Sequence, residues 1–352
     1  MANNTAIHTK HVGRSTDLEI VLNSSCLERK LWSNFVYHHP QGNIFQTPEM
    51  YEVFNGTEGF KPILIAVLQD HRIKGIMLAV IQKEAKGVVG NFAKRSIIRG
   101  GPLIAEDDEG VLNLILQKYN SIVKNRILYS QIRNWTDSSI NRMVFQKYGF
   151  RFIDHLNVLI DLTKPEKNLW QNINKKKRNR IRKAYREYLE FRQDSQKSDL
   201  AEAYNILKEV YHRIKLPYPK IEFFENLREK LSDQVNLLTF SVIAEGRIIA
   251  TRFVLTFKKT LYVFYAGSYQ KYNNRCANDL INWELILWGK NNGYTVFDFA
   301  GAGNPNIPYS VRSYKMKFGG EVTNPGRFEK VHHPILFHIA KRAFYLWQRF
   351  KA

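Results

Sequence analysis

Val242-Ile243-Ala244-Glu245-Gly246-Arg247-Ile248 reads as the tip of a β-hairpin, and it repeats the pattern of Ala66-Val67-Leu68-Gln69-Asp70-His71-Arg72-Ile73 near the start of the chain. The arms on either side, Ile63–Gln69 with Ile73–Gln82 and Leu237–Ala244 with Ile248–Thr256, are rich in β-branched and aliphatic residues, as paired strands require. The elements that follow each hairpin come in one order. After the first, a strand over Ser96–Ile104 is broken by Gly100 and Gly101. A helix from about Glu109 to Lys124, a strand over Ile127–Ile132 and a helix from Ser138 to Lys147 follow. After the second come a strand over Thr260–Ala266, a helix over Ala277–Asn291 stopped at Gly293, and a strand over Tyr294–Phe299. Self-similarity at this scale predicts two copies of one α/β unit.

Working outward, Leu18–Leu22 reads as a strand, Ser25–His38 as a helix, and Thr47-Pro48 as the N-cap and first residue of another. Leu200–Arg213 and Ile221–Leu231 are the matching helices of the second copy. The expected fold class is α/β, with two mixed, twisted sheets flanked by helices. The expected division is a loose leader over 1–17, a first domain over 18–164 closed by the strand Val158–Leu162, a second over 165–330, and a C-terminal helix over 331–352.

Charge is the outlier in composition: 53 Lys and Arg stand against 32 Asp and Glu, a net +21. Such a surplus attracts phosphates, nucleic acid or an anionic membrane surface without choosing among them. Cys26 and Cys276 lie far apart and form no metal-like spacing, so neither a disulfide scaffold nor a bound metal is expected. The polar first 17 residues lack the apolar core of a signal peptide, and no run reaches 18 apolar residues. A cytoplasmic protein, at most touching the inner face of a membrane, is the expectation.

The densest charge lies in Lys175-Lys176-Lys177-Arg178-Asn179-Arg180-Ile181-Arg182-Lys183-Ala184, inside a predicted helix over Asn174–Leu189. Ile181, Ala184, Tyr185 and Tyr188 give it an apolar stripe, and no acid follows until Glu187. A plain solvated helix would satisfy that pattern. Unrelieved repulsion between neighbouring cations argues for a bound anion instead. A second constellation is Asp298-Phe299-Ala300-Gly301-Ala302-Gly303, a strand running into a glycine-rich turn where a ligand could approach the backbone. The Arg/Gln-x-x-Gly-x-Gly/Ala loop of acyl-CoA-binding acetyltransferases is absent, as are a Walker loop, GxSxG and HExxH.

Four ordered motifs resemble the FemAB-like proteins, the peptidoglycan bridge-forming aminoacyltransferases and their relatives. They are Ile98-Arg99-Gly100-Gly101-Pro102; Gly149-Phe150 with Leu159–Leu162; Leu169-Trp170 with Lys177-Arg178-x-x-Ile181-Arg182-Lys183-Ala184; and Tyr314-Lys315-x-x-Phe318-Gly319-Gly320. The resemblance spans about residues 18–330. It implies two tandem acetyltransferase-like (GNAT) domains and transfer of an aminoacyl group from aminoacyl-tRNA to an amine of a diphosphate-linked envelope precursor. No cofactor is implied beyond the acyl donor itself, and acyl-CoA is the alternative donor. On the matched motifs, Lys315 is the expected catalytic residue, stabilising the oxyanion or an adjacent donor phosphate, and Tyr314 packs against the donor. Arg178 and Arg182, at i and i+4, would clamp the acceptor's diphosphate with Lys183 beside them. Arg99 and Tyr265 are further expected substrate contacts. The chain departs from the bridge-forming members where they tend to carry Asp-Pro, since it has Arg133-Asn134-Trp135. It also lacks a long helical arm in the second domain.

Finally, His333–Ala352 is an amphipathic basic helix, with Leu336, Ile339, Ala340, Ala343, Trp347 and Phe350 on one face. Docking on the protein's own core and contact with an anionic membrane both fit it. Against the enzyme stands one rival of another class, an inert RNA- or membrane-binding protein on the same fold.

Overall fold

The computed structural model describes residues 18–83, 94–137, 141–231 and 235–350; the expected leader over 1–17 lies outside them. In chain order the first unit begins with β1 (Glu19–Val21), α1 (Arg29–His38) and α2 (Pro48–Asn55), the last opened by the Thr47 side chain accepting from the Met50 amide. Then come β2 (Phe60–Gln69), β3 (Arg72–Lys83), β4 (Lys94–Arg99) and β5 (Leu103–Ile104). α3 (Glu109–Val123), β6 (Tyr129–Arg133), α4 (Arg142–Lys147) and β7 (Arg151–Ile153) follow. Asp108 caps α3 by accepting from the Gly110 and Val111 amides.

The chain next builds the whole second unit, residues 154–324. Its elements are β8 (Leu156–Asp161), α5 (Glu166–Asn172), α6 (Lys175–Arg186), β9 (Glu190–Gln193), α7 (Lys197–Arg213) and α8 (Ile221–Lys230). β10 (Val235–Ala244), β11 (Arg247–Phe257), β12 (Thr260–Ser268), α9 (Ala277–Asn291), β13 (Val296–Gly303), α10 (Ser310–Met316) and β14 (Glu321–Thr323) complete it. The sheet order is β14-β8-β13-β12-β11-β10-β9. Its core joins Ile160, Phe240, Val254 and Phe297 of the sheet to Ile281 and Ile286 of α9.

Only then does the chain return to the first unit, as β15 (Arg327–Val331) and α11 (Pro334–Phe350). β15 lies between β6 and β7, giving the order β1-β2-β3-β4-β6-β15-β7 with β5 on β3. Phe328 of β15, Ile132 of β6 and Ile98 of β4 share the core with Ile115, Leu116 and Tyr119 of α3.

The duplication holds in detail. In the β2–β3 hairpin both turn residues, Asp70 and His71, have positive φ, and in β10–β11 Glu245 and Gly246 do. This is the two-residue turn whose twist suits a hairpin. Each hairpin carries its register shift three residues before the turn, after Val67 and after Val242. In both sheets a helix crosses between parallel strands, α3 from β4 to β6 and α9 from β12 to β13.

One strand assignment differs from the sequence reading. The stretch expected to close the first domain forms β8 and pairs with β13 and β14 of the second sheet, while β15, read into the second domain, pairs with β6 and β7 of the first. Both positions are the same site in the duplicated plan, between the last parallel strand and the edge strand. The two copies have thus exchanged their final strands. No local signal distinguishes a strand that pairs with its own copy from one that pairs with the other.

Among the described residues no helix is long and apolar enough to cross a membrane. On α11, Phe337 stacks edge-on to Tyr129 of β6, whereas Ile335 is 78% and Ile339 58% exposed.

Candidate active site

The second unit holds a cavity of about 420 Å³ at the N-terminal end of α9. Cys276 precedes the helix in left-handed backbone geometry (φ 62°), and Cys276, Ala277, Asn278 and Asp279 line the cavity. The first amides of a helix have no partner within it and carry the positive end of its dipole, which favours an anion there.

Two cations of the basic helix α6 reach this end. The Lys177 ammonium and the Arg180 guanidinium both donate to the carboxylate of Asp279 in the first turn of α9. Asp279 is 1% and Lys177 7% exposed. Lys177 therefore sits on the buried stripe with Ile181 and Ala184, at i, i+4 and i+7. Its ammonium also lies 3.7 Å from the ring centre of Tyr314. Burial lowers the Lys177 pKa against the opposing pull of Asp279, and Asp279 raises that of Arg180. Two cations on one carboxylate leave one net positive charge at the cavity wall.

Behind them Arg252 is buried in β11, with its Nε donating to Asn282 Oδ1 (3.0 Å) and Nη1 to the Thr251 carbonyl (2.8 Å). Its other arm reaches Asn278 Oδ1. The Tyr314 hydroxyl donates to the Asn278 carbonyl (2.8 Å) and accepts from Asn282 Nδ2 (3.0 Å). Burial pushes the Tyr314 phenol well above its ordinary value, so it stays neutral.

Lys315 points elsewhere. Its Nζ donates to the carbonyls of Phe299 (2.6 Å), Gly301 (2.8 Å) and Ala300 (3.1 Å). These are the carbonyls of the irregular half of β13, where Ala300 has φ 61° and pairing with β8 shifts register twice. Burial lowers the Lys315 pKa to about 8, opposed by Asp298. The parallel ladder between β12 and β13 covers only Thr260–Tyr262 against Val296–Asp298. Beyond it each strand offers backbone to something else, and on β13 Lys315 takes up part of that offer.

The remaining residues expected at a site are dispersed. Arg178 Nη1 donates to the carbonyls of Gln171 (2.7 Å), Ile173 (3.0 Å) and Trp170 (3.3 Å) and so closes the C-terminal end of α5. Arg182 donates to Asn179 Oδ1 (3.2 Å) with its guanidinium 5.4 Å from the Trp170 ring centre. Lys183 is exposed and acts on the Cys276 thiol through its charge. Tyr265 packs among Tyr211, Phe224 and Phe264. Arg99 belongs to the first unit, its guanidinium 5.0 Å from the Phe45 ring centre. Of these residues only Tyr314 lines the cavity.

The expectation that the basic run lacks a compensating acid is corrected by Asp279, 102 residues beyond Lys177. Such a pairing has no local signature. One signal was nonetheless present: Arg252 interrupts the largely apolar run Ile248–Phe257. Among the described residues no three His, Cys, Asp or Glu gather as a metal would require.

Residues 175–316, from α6 through α10, match the family model described as an acetyltransferase (GNAT) domain. The second unit is a GNAT acyltransferase domain. Over the whole chain, the crystal structure of FemX superposes with a TM-score of 0.68 at 14% identity, covering 89% of this chain and 98% of that one. A tandem GNAT protein from the clavulanic acid biosynthesis pathway gives 0.56 at 7% identity, covering 90% and 98%. The C-terminal domain of a putative lysylphosphatidylglycerol synthetase from Agrobacterium fabrum gives 0.54 at 11%, covering 86% and 90%. No curated protein sequence matches. The chain thus has the FemAB-like tandem GNAT fold, with Lys177, Arg180, Asp279 and Tyr314 around the cavity of its second GNAT domain.

Proposed function

We propose that this tandem GNAT protein is an N-acyltransferase that moves an aminoacyl group from aminoacyl-tRNA to an amine of a diphosphate-linked envelope precursor at the inner face of the membrane. The observation that carries this reading is the cavity at the start of α9, where Lys177, Arg180 and the first turn of the helix line one wall of a space large enough for part of a donor. In it they bind a phosphate of the donor. The neutral amine of the acceptor attacks the ester carbonyl, a C–N bond forms, and the C–O bond to the ribose breaks as its oxygen takes the proton released by the amine. No covalent enzyme intermediate is needed, so positioning and charge supply the rate. Lys315 holds the carbonyls of β13 in place beside the reacting group, and the neutral Tyr314 phenol fixes Asn278. The name of the lysylphosphatidylglycerol synthetase supports the aminoacyl group.

The match to an acetyltransferase model favours acyl-CoA as the second donor. Incubating the protein with charged tRNA and, separately, with acyl-CoA pools decides between them. Consumption of charged tRNA alone is the expected result, and consumption of neither would sink the enzyme assignment. Mass spectra of envelope precursors with and without the gene then identify the acceptor.

A membrane role falls to α11. Ile335, Leu336, Ile339 and Leu346 are exposed beside Lys341 and Arg342, an arrangement suited to an anionic lipid surface. Cosedimentation with phosphatidylglycerol vesicles should fall several-fold on Ile339→Asp and with rising salt, while neutral vesicles should capture little of either protein.

A further inference from the structure

Arg99, Arg133 and Arg327 stand side by side on three neighbouring strands of the first unit. Arg133 of β6 is the ladder partner of Arg99 on β4 and of Arg327 on β15. Directly opposed residues point to the same face of a sheet with strands about 4.8 Å apart, so the three stems form one row roughly 10 Å long. Arg95, four residues before Arg99, shares the face and donates to the Tyr129 hydroxyl and to Gln82 Oε1, each at 3.4 Å. The other positions on this face of the three strands are Ile97, Tyr129, Gln131, Glu329 and Val331. Glu329 accepts from the Gln131 amide, and the Gln131 carbonyl oxygen accepts from Arg133 Nε at 2.6 Å. Gln131 thereby links the acid to the row without bringing carboxylate and guanidinium together at Arg133.

Like charges directly opposed across a sheet destabilise it. Burial, together with Arg99, Arg327 and Arg95, holds the Arg133 guanidinium well below its ordinary pKa. All four arginines are half-buried. A nucleic-acid backbone is gripped by projecting, solvated cations, whereas a row set into a sheet suits a small, multiply charged anion. Guanidinium forks bind phosphate oxygens in pairs, and two linked phosphoryl groups can engage more than one fork of such a row.

We propose that this row is a diphosphate-binding site, and that it holds the diphosphate of the acceptor. The second part rests on the acceptor class given under Proposed function. It places that contact on the first unit, with Arg133, where bridge-forming relatives tend to carry Asp-Pro, and relieves Arg178 and Arg182 of the role.

The test is calorimetric titration of the full-length protein with inorganic pyrophosphate, alongside thermal unfolding with and without it. Wild type should bind pyrophosphate more tightly than orthophosphate. Arg133→Gln should weaken pyrophosphate binding at least tenfold and, without anion, unfold at a higher temperature than wild type because the repulsion is gone. Arg133→Lys, which keeps the charge but not the fork, should fall between and serves if Arg133→Gln does not fold. Absence of pyrophosphate binding by wild type, or equal binding by wild type and both variants, overturns the proposal. So does an Arg133→Gln protein that unfolds lower yet binds as before, which would mark a structural arginine. Loss of uncharged-tRNA binding without loss of pyrophosphate binding overturns it in favour of a nucleic-acid surface. None of these readouts requires turnover, so a failed acyl-transfer assay would refute the function and leave the site standing.

Discussion

Replacing Asp279 with alanine will lower the stability of the second unit by about 3–5 kcal/mol, the usual cost of removing one partner from a buried ionic cluster. The carboxylate is almost fully buried and is the acceptor for both Lys177 and Arg180. Without it, nothing opposes the burial that lowers the Lys177 pKa, so an unpaired amine is left in a low-dielectric site beside a tyrosine ring, whereas Arg180 can swing into solvent. The damage should therefore come mostly from Lys177. Lys177→Met in the Asp279→Leu background should recover much of the loss, since a well-packed apolar pair can replace a buried ion pair. Urea unfolding of the two single variants and the double variant measures the coupling. Additive losses would show that Asp279 supports the fold by some route other than Lys177. The double variant keeps one net positive charge at the cavity wall, on Arg180, so any loss of donor binding in it reports the missing Lys177 contact rather than a change in net charge.

The second large effect is at Lys315. Lys315→Ala should reduce kcat on the order of 10²-fold, the scale of losing a preorganised polar contact at a reacting group, with KM for the donor changed much less. Three carbonyls of β13 lose their donor, so stability should also fall, by about 1–3 kcal/mol. Full turnover would remove Lys315 from the mechanism. The lysine also predicts a pH dependence. Its folded pKa of about 8 lies below its unfolded value, so the unfolded chain holds the extra proton over the interval above pH 8. Wild-type stability should therefore gain as pH rises through 8 toward 10, and Lys315→Met should lose that gain. A solvent-exposed spectator lysine, whose pKa is the same folded and unfolded, would show neither the slope nor its loss.

Local patterns carried much of the fold into the sequence. Near-continuous apolar runs on either side of Asp70-His71 and Glu245-Gly246 specify both hairpins, and the Thr47-Pro48 and Ala277–Asn291 signals place their helices closely. The site was less legible because its defining contacts join residues distant in sequence. The basic helix was visible, but which of its cations turn inward depends on where α9 lies. Lys177 and Arg180 meet Asp279 there, while Arg178 folds back on the end of α5. The arginine row was legible only in part. Arg99 and Arg133 are conspicuous, but no rule of sequence says that β4, β6 and β15 bring them into register with Arg327.

The exchanged final strands have a consequence for how the protein comes off the ribosome. Domains ordinarily fold as they emerge, the N-terminal one first. Here β6 is left as the open rim of an unfinished sheet, and β7 without a partner, until β15 arrives about 170 residues of translation later, so the first unit completes only after the second has been made. During that interval an unpaired strand edge invites mispairing. The same exchange makes the copies unequal genetically: the second unit is one contiguous insertion, residues 154–324, that a single deletion could remove whole, whereas no single deletion takes out the first unit and leaves the second.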